Sequence, residues 1–219
     1  YFLDMIVTDM NGKVIASTNG KYIQQSFADE PGFKDAANVP FFIKDVYASK
    51  FFNDNAIVMY NIITSSKNKN EKYGFLIAAF NCNTLIHEQL DKINLTGNGQ
   101  NDKAFIQLFN SENLMISAPG FFRTPDSILK KKNENSEVLE RLKSKNSDLI
   151  ITSDKLLVFT KAGGHKIGDK ELPSLNWYAL AEIDKSVAFA DVNQMRLMMI
   201  IFLIVISLVV LFVSFYIAI

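Results

Sequence analysis

The sequence predicts an α+β chain of two tandem modules, each an antiparallel sheet with peripheral helices, followed by one transmembrane helix. Three observations predict it. Short apolar runs alternate with turn signals from residue 1 to residue 184. Segments of the first half recur in the second at nearly one offset. The last 23 residues, Leu197 to Ile219, contain no charge, proline or glycine, and 21 of them are hydrophobic.

The first module opens with an apolar strand, Phe2 to Val7. Asp9-Met10-Asn11-Gly12 then reads as a tight turn, because Asn-Gly accepts positive φ, and Lys13 to Ser17 returns as a second strand. Residues 18 to 56 read as mixed and loop-rich, with Pro31, Gly32 and Pro40 and a short helix at Gly32 to Asn38. Ile57 to Thr64 and Tyr73 to Phe80 are strands joined by the polar loop SSKNKNEK. Thr84 to Ile93 reads as an amphipathic helix, with Leu85, Leu90 and Ile93 on one side.

The second module repeats the order. Ala104 to Phe109 is a strand, Asn110 to Asn113 a turn and Leu114 to Ala118 a strand. A loop with a helix around Ser136 to Leu142 follows, then strands at Leu149 to Thr152, Lys155 to Thr160 and Trp177 to Ile183. Asp9 to Gly12 with Val14-Ile15 matches Asn110 to Asn113 with Met115-Ile116 at an offset of 101. Ile77 to Asn81 matches Leu180 to Asp184 at an offset of 103. Antiparallel strands with peripheral helices, used twice, imply PAS-like modules. The boundaries are 1–92 for the first module, 93–184 for the second, 185–196 for a juxtamembrane helix and 197–219 for the membrane helix.

As a helix the final run is about 34 Å long, enough for a hydrocarbon core of about 30 Å. Seventeen of its residues are Leu, Ile, Val or Phe, which favours insertion by several kcal/mol. Ser207 and Ser214 can return their hydroxyls to the helix backbone. From Lys185 to Ile219 no glycine or proline intervenes, so one rod of about 52 Å is expected. Asp184 would cap its start, and Val187, Phe189, Val192 and Met195 would pack against the second module. Because the chain starts inside a strand and stops at the end of the span, it reads as a fragment of a larger membrane protein.

Composition excludes several functions. Twenty-three Lys+Arg balance 23 Asp+Glu, so the excess of cations that nucleic-acid binding needs is missing. A single cysteine, Cys82, forms no intrachain disulfide, and with only His87 and His165 no Cys/His metal cluster exists. No metal or cofactor is expected. Gly97-Asn98-Gly99 and Gly163-Gly164-His165 read as turns, Asn94-Leu95-Thr96 as a bare sequon, and Lys130-Lys131-Lys132 as a solvated face that could touch anionic lipid. His87 falls on a polar helix face, and Trp177 is expected to anchor the second core or its edge near the membrane. No catalytic set is supported, so the chain is not expected to be an enzyme.

The runs IVTDMNGKVIAST, FADEPGFKDA, FIKDVYAS and GFLIAAFNCNTL, then LTGNGQNDKAFIQLFNSENLMISAP, LVFTKAG and LNWYALAEIDKSVAFADVNQMR, together resemble a double Cache sensor. The best marker is WYALAEIDKSVAFADV leading into a membrane helix. The resemblance implies two PAS-like Cache modules forming the extracytoplasmic part of a bacterial or archaeal signalling receptor, with residues 1–196 outside the inner membrane. It implies a homodimer, contact with membrane lipid, and an output domain beyond Ile219 such as a kinase, cyclase or phosphatase.

In such sensors a small molecule usually binds the membrane-distal module. The family's amino-acid cluster would place its Arg on Glu30, its Trp on Gly32, its aromatic on Phe33, its later Tyr on Tyr47 and its Asp on Ala79, so both ionic anchors are replaced. What remains as candidate ligand-binding residues is Phe33, Lys34, Tyr47, Ser49, Tyr60 and Asn61, suited to a small, weakly polar ligand. Asp29 and Glu30 add the option of an amine. The alternative is a membrane-anchored partner-binding or structural module in which Phe33 and Tyr47 simply pack the core.

Overall fold

In the computed structural model the described residues are 2–68, 70–95, 104–124, 126–163, 166–167, 170–171 and 174–218. Gly97 to Gly99, Thr96, Gly164 and His165, on which several sequence expectations fell, lie outside them, as does the side chain of Ser214.

Strands β1 (Phe2–Asp9), β2 (Val14–Ser17), β3 (Phe41–Ser49), β4 (Asp54–Thr64) and β5 (Lys72–Asn81) form one antiparallel sheet in the order β2-β1-β5-β4-β3, with helix α1 (Phe33–Ala36) between β2 and β3 in sequence. A π-helical turn, Asn83–His87, leads into α2 (Glu88–Leu95). The second sheet contains β6 (Ala104–Phe109), β7 (Met115–Ser117), β8 (Ser147–Ile151), β9 (Lys155–Lys161) and β12 (Tyr178–Asp184), with α3 (Ser136–Ser144) before β8. Its order is β7-β6-β12-β9-β8. A small ribbon, β10 (Lys166–Ile167) with β11 (Lys170–Glu171), precedes β12.

The two orders are the same, strand for strand, and the registers agree. Across the first sheet Ile6, Ile77 and Tyr60 stand in one row. Across the second, Gln107, Leu180 and Phe159 do. The predicted duplication is therefore a duplication of topology. The turns repeat too. The Asp9 carboxylate accepts from the N–H groups of Asn11 and Lys13, both at 2.9 Å, and Gly12 has φ 83°. The Asn110 side chain accepts from Glu112 N–H at 3.0 Å and Leu114 N–H at 2.9 Å, and Asn113 takes φ 63°. Asparagine tolerates the left-handed conformation that glycine adopts freely. Asn113 meets only the conformational demand. At Gly12 a Cβ would also stand 2.6 Å from the Ala28 nitrogen.

The strand β3 corrects the loop-rich reading of residues 18 to 56. Lys44 and Asp45 break the apolar alternation, and the pairing with β4 shifts register between Lys44 and Tyr47. A bulged edge strand of this kind carries a weak periodic signal. It is recruited by the long neighbour β4.

Each sheet buries one face in its own core. The first core is aromatic: Tyr22, Phe27, Phe33, Phe52, Tyr60 and Phe75 are all buried. The second gathers Phe109, Val138, Leu142, Ile150, Phe159, Tyr178 and Leu180. A third cluster lies between the modules, where Val46, Ile57, Cys82 and Ile116 pack with Leu85, Leu108 and Trp177. Burial pushes the Cys82 thiol up to about 12, with Asp45 and Asp54 adding to it.

This seam overturns two expectations. His87 is buried, and its Nε2 lies 3.1 Å from the Ile116 carbonyl oxygen, so it serves the seam and not a polar face. Trp177 donates its Nε1–H to Asp45 Oδ1 at 2.6 Å, which places it between the modules, at the opposite end of β12 from the membrane helix. Arg123 and Asp91 form an ion pair that ties the second module to α2.

After β12 the chain forms α4 (Lys185–Ala188) and then α5 (Ala190–Ala218), with the break at Phe189, φ −109° and ψ 14°. The expected single rod is thus two helices. Asp184 makes no side-chain cap; the Lys185 N–H instead donates to the Asp154 carbonyl at 2.8 Å. Of the four residues expected to pack on the second module, only Val187 is half-buried, while Phe189, Val192 and Met195 are 40%, 58% and 59% exposed. Among the described residues one helix is long and apolar enough to cross a membrane, and none of its apolar window is buried. Ser207 donates to the Leu203 carbonyl at 2.8 Å, the back-bond anticipated for it.

Candidate functional site

Four of the six candidate residues converge around Glu30. Its Oε2 accepts from the Tyr47 hydroxyl and the Ser49 hydroxyl, each at 2.7 Å, and its Oε1 accepts from Phe51 N–H at 2.9 Å. Glu30 is 8% exposed. A carboxylate so enclosed is tolerable because three donors replace its water. Tyr60 lies beside this group and donates to the Pro31 carbonyl at 3.1 Å. Phe33 fills the same core, its ring 5.0 Å from Phe75 and 6.4 Å from Phe27. Burial raises the Tyr47 and Tyr60 phenols above their usual range, and the Glu30 charge adds to both, so each stays a protonated donor.

Lys34 and Asn61 do not join them. Both are exposed; Asn61 lines a shallow hollow of about 280 Å³ with Asn38, Pro40 and Lys72. Strand alternation puts Asn61 on the face opposite Tyr60. At Gly32, φ is 90° and a Cβ would meet the Phe42 ring at 2.9 Å, so the tryptophan that the family's cluster would carry there has no room. Ala79 is fully buried in the aromatic core.

The other end of this sheet holds a second enclosed carboxylate. Asp4, 3% exposed, accepts from Ser17 Oγ at 2.5 Å, from the Thr18 hydroxyl, and from the N–H groups of Met5 and Asn19. Burial opposes its ionisation, but these hydrogen bonds outweigh it and hold the acid below the usual range. Asp45 shows the reverse. Burial raises it despite the Trp177 and Val46 donors, and its Oδ2 has no hydrogen-bond partner among the described residues.

The signs follow from linkage. Asp4, depressed in the folded chain, stabilises above the ordinary carboxylate range and loses that contribution as pH falls through it. Asp45, raised in the folded chain, favours folding as pH falls below its raised value. Lowering the pH from about 5 to about 3 should therefore lower amide protection, relative to the intrinsic exchange rate at each pH, at the β1–β2 end while raising it at Val46. Asp4→Asn should flatten the first response only; a β1–β2 response unchanged in that variant would remove Asp4 as its source.

Two further hollows were not legible in the sequence. One, of about 470 Å³, lies between β3 and the Asn110–Leu114 turn and includes Asp45 and Tyr47. The other, of about 280 Å³, opens over the second sheet. Its floor is Gln107, Leu180, Leu157 and Glu182, and its wall is Phe122 with residues 131 to 135. Lys155 and Glu182 form an ion pair in it, 41% and 18% exposed. The signal available for Glu182 was an acidic residue inside the apolar run WYALAEI at the position of Ala79 in the first half.

No protein-family model matches the sequence, and no curated protein matches it. Solved structures do match its fold. An extracellular ligand-binding receptor from Desulfohalobium retbaense aligns with a TM-score of 0.60 at 10% identity, over 84% of this chain and 30% of that one. The ligand-binding domain of the Pseudomonas fluorescens chemoreceptor CtaA, solved with L-serine, aligns at 0.52 and 14% identity, over 84% and 74%. The ligand-binding domain of Mlp24 with asparagine aligns at 0.54 and 18%, over 88% and 72%. The chain therefore shares the fold of these ligand-binding domains. It spans under a third of the first of these proteins.

Proposed function

We propose that the chain is the extracytoplasmic sensor region of a transmembrane signalling receptor, non-catalytic in itself, with α5 as its membrane helix. The observation that carries this reading is the series arrangement: two sheets of identical strand order share an apolar seam, and the second ends at Asp184 directly in α4 and the exposed, apolar α5. A rearrangement of either module reaches the membrane through that junction. The break at Phe189 makes the junction a joint between two helices.

In this reading the receptor lies in the cell's inner membrane as a homodimer, and a small molecule binds the distal module, residues 1–92, at the Glu30 end of its core. Phe33, Tyr47, Ser49 and Tyr60 line that place, with Lys34 and Asn61 outside the converged group. A ligand amine would compete with the two hydroxyls for Glu30. Binding transmits only if it favours one arrangement of the joint over another.

A specific observation favours a second reading for the distal module. Its core is filled by its own rings, with Phe27 in contact with Phe33, Phe51, Phe52 and Tyr60. A module so filled suits a partner-binding or structural role. The two separate experimentally. Amine, organic-acid and nucleobase libraries are titrated onto the full chain in lipid nanodiscs, with spin labels on α5 reporting helix separation. The sensor reading expects a ligand that shifts the label distance and weakens at least tenfold in Glu30→Gln or Tyr47→Phe. If no library member changes the α5 distances, the reading fails.

A further inference from the structure

The matching registers of the two sheets allow residue-by-residue comparison of their concave faces. The row Asp4–Ala79–Val58 corresponds to Phe105–Glu182–Leu157, and Ala56, paired to Asn81, corresponds to Lys155, paired to Asp184. In the distal module this place is occupied by Ala79 and Ala56, both fully buried beneath aromatic rings. In the proximal module the same two positions carry opposite charges, and the space above them is an open hollow of about 280 Å³. One topology thus has one filled face and one open face with a charged pair on its floor.

We propose that the proximal module holds a small-molecule site of its own, in which Glu182 takes the ammonium and Lys155 the carboxylate of a small zwitterion with a short apolar body. The pair is partly withdrawn from water, so its charge-assisted bonds are stronger than those of a surface pair. A singly charged ligand is poorly served by this pair. An anion reaching Lys155 meets the repulsion of Glu182, and a cation reaching Glu182 meets that of Lys155. A charge-separated ligand replaces the one bond by two. Leu157, Leu180 and Phe122 provide the apolar walls, and Gln107, paired to Leu180 one row away from Glu182, has a polar group to offer. The volume is just below the roughly 300 Å³ at which drug-sized pockets begin, which limits the ligand to a small body. Glu182 sits two residues before Asp184, and so a ligand here acts on the strand that leads directly into α4.

The inference goes beyond the sensor reading, since such binding stands whether or not the distal module has a ligand. It is tested by calorimetric titration of the full chain in lipid nanodiscs with glycine and 4-aminobutyrate, against butyrate and butylamine as single-charge controls. At least one zwitterion should bind, each control at least tenfold more weakly. Glu182→Gln and Lys155→Met should each weaken the zwitterion at least tenfold, and Glu30→Gln should leave it unchanged. Should either charge variant unfold, Gln107→Trp, which fills the hollow and leaves the pair in place, must abolish the binding. Absence of binding by both zwitterions, binding that survives these substitutions, or binding lost in Glu30→Gln alone overturns the proposal.

Discussion

Replacing Gly74 by alanine is expected to lower the stability of the distal module by about 3 kcal/mol, the upper end of what overpacking costs. A Cβ at this position would stand 1.8 Å from the Thr8 carbonyl oxygen and 2.8 Å from the Thr8 carbonyl carbon. Both are backbone atoms, so no side-chain rotation relieves the clash. Gly74 pairs with Asp9 on β1 and with Ile63 on β4, on the middle strand of the β1-β5-β4 ladder and close to one end of it. The strands must separate locally, and the adjoining core residues Thr8 and Phe75, each 1% exposed or less, separate with them. In a thermal melt of the chain the distal transition should fall by about 12–24 °C, given roughly 4–8 °C per kcal/mol for a domain of this size. Gly163→Ala is the control, because its Cβ would meet nothing within 4 Å. Equal melting of the two variants would show that β1 and β5 do not approach as described.

The second large effect is expected at the seam. Trp177→Phe keeps most of the ring's apolar contact but removes the N–H that Asp45 Oδ1 accepts. Asp45 already has an unpartnered Oδ2, so the variant leaves a half-buried carboxylate with only the Val46 N–H, at 2.7 Å. The loss should be about 2 kcal/mol, typical of a hydrogen bond to a charged group. It should shrink as pH falls and Asp45, already raised by burial, becomes neutral. A double-mutant cycle with Asp45→Ala should return a coupling of about 1–2 kcal/mol between residues 132 apart in sequence. Amide exchange at Val46 and Ile57 reports it. A coupling near zero would mean that the Trp177–Asp45 bond does not help to join the modules, leaving the apolar contacts, the His87–Ile116 contact and the Arg123–Asp91 pair to do so.

The same contact shows why part of the candidate site was hidden. The pairing of Asp45 with Trp177, of His87 with Ile116, and of Lys155 with Glu182 each joins residues far apart in the chain. Read locally, His87 belonged to a polar helix face and Trp177 to the second core or its edge near the membrane. Glu30 was visible as a reversal of the sign expected from the family and, with Asp29, as an option for an amine. Its actual role is to accept from Tyr47, Ser49 and Phe51, and that depends on β3, the strand whose bulge and charges concealed it. Lys34 and Asn61 were grouped with these residues by nearness in sequence, and the alternation of β4 and the placing of Lys34 on the exposed side of α1 separate them.

By itself the sequence determined the elements whose causes are local: the two Asx-type turns at Asp9 and Asn110, the apolar strands β1, β4, β5, β6, β9 and β12, the helix α3, and the membrane helix. Turn chemistry, strand alternation and continuous hydrophobicity act over a few residues and can be read from them. The tertiary structure alone decided the seam, the filling of one concave face and the opening of the other. Those depend on which side chains distant segments bring into the same space, and a residue's own neighbours in the chain carry no record of that.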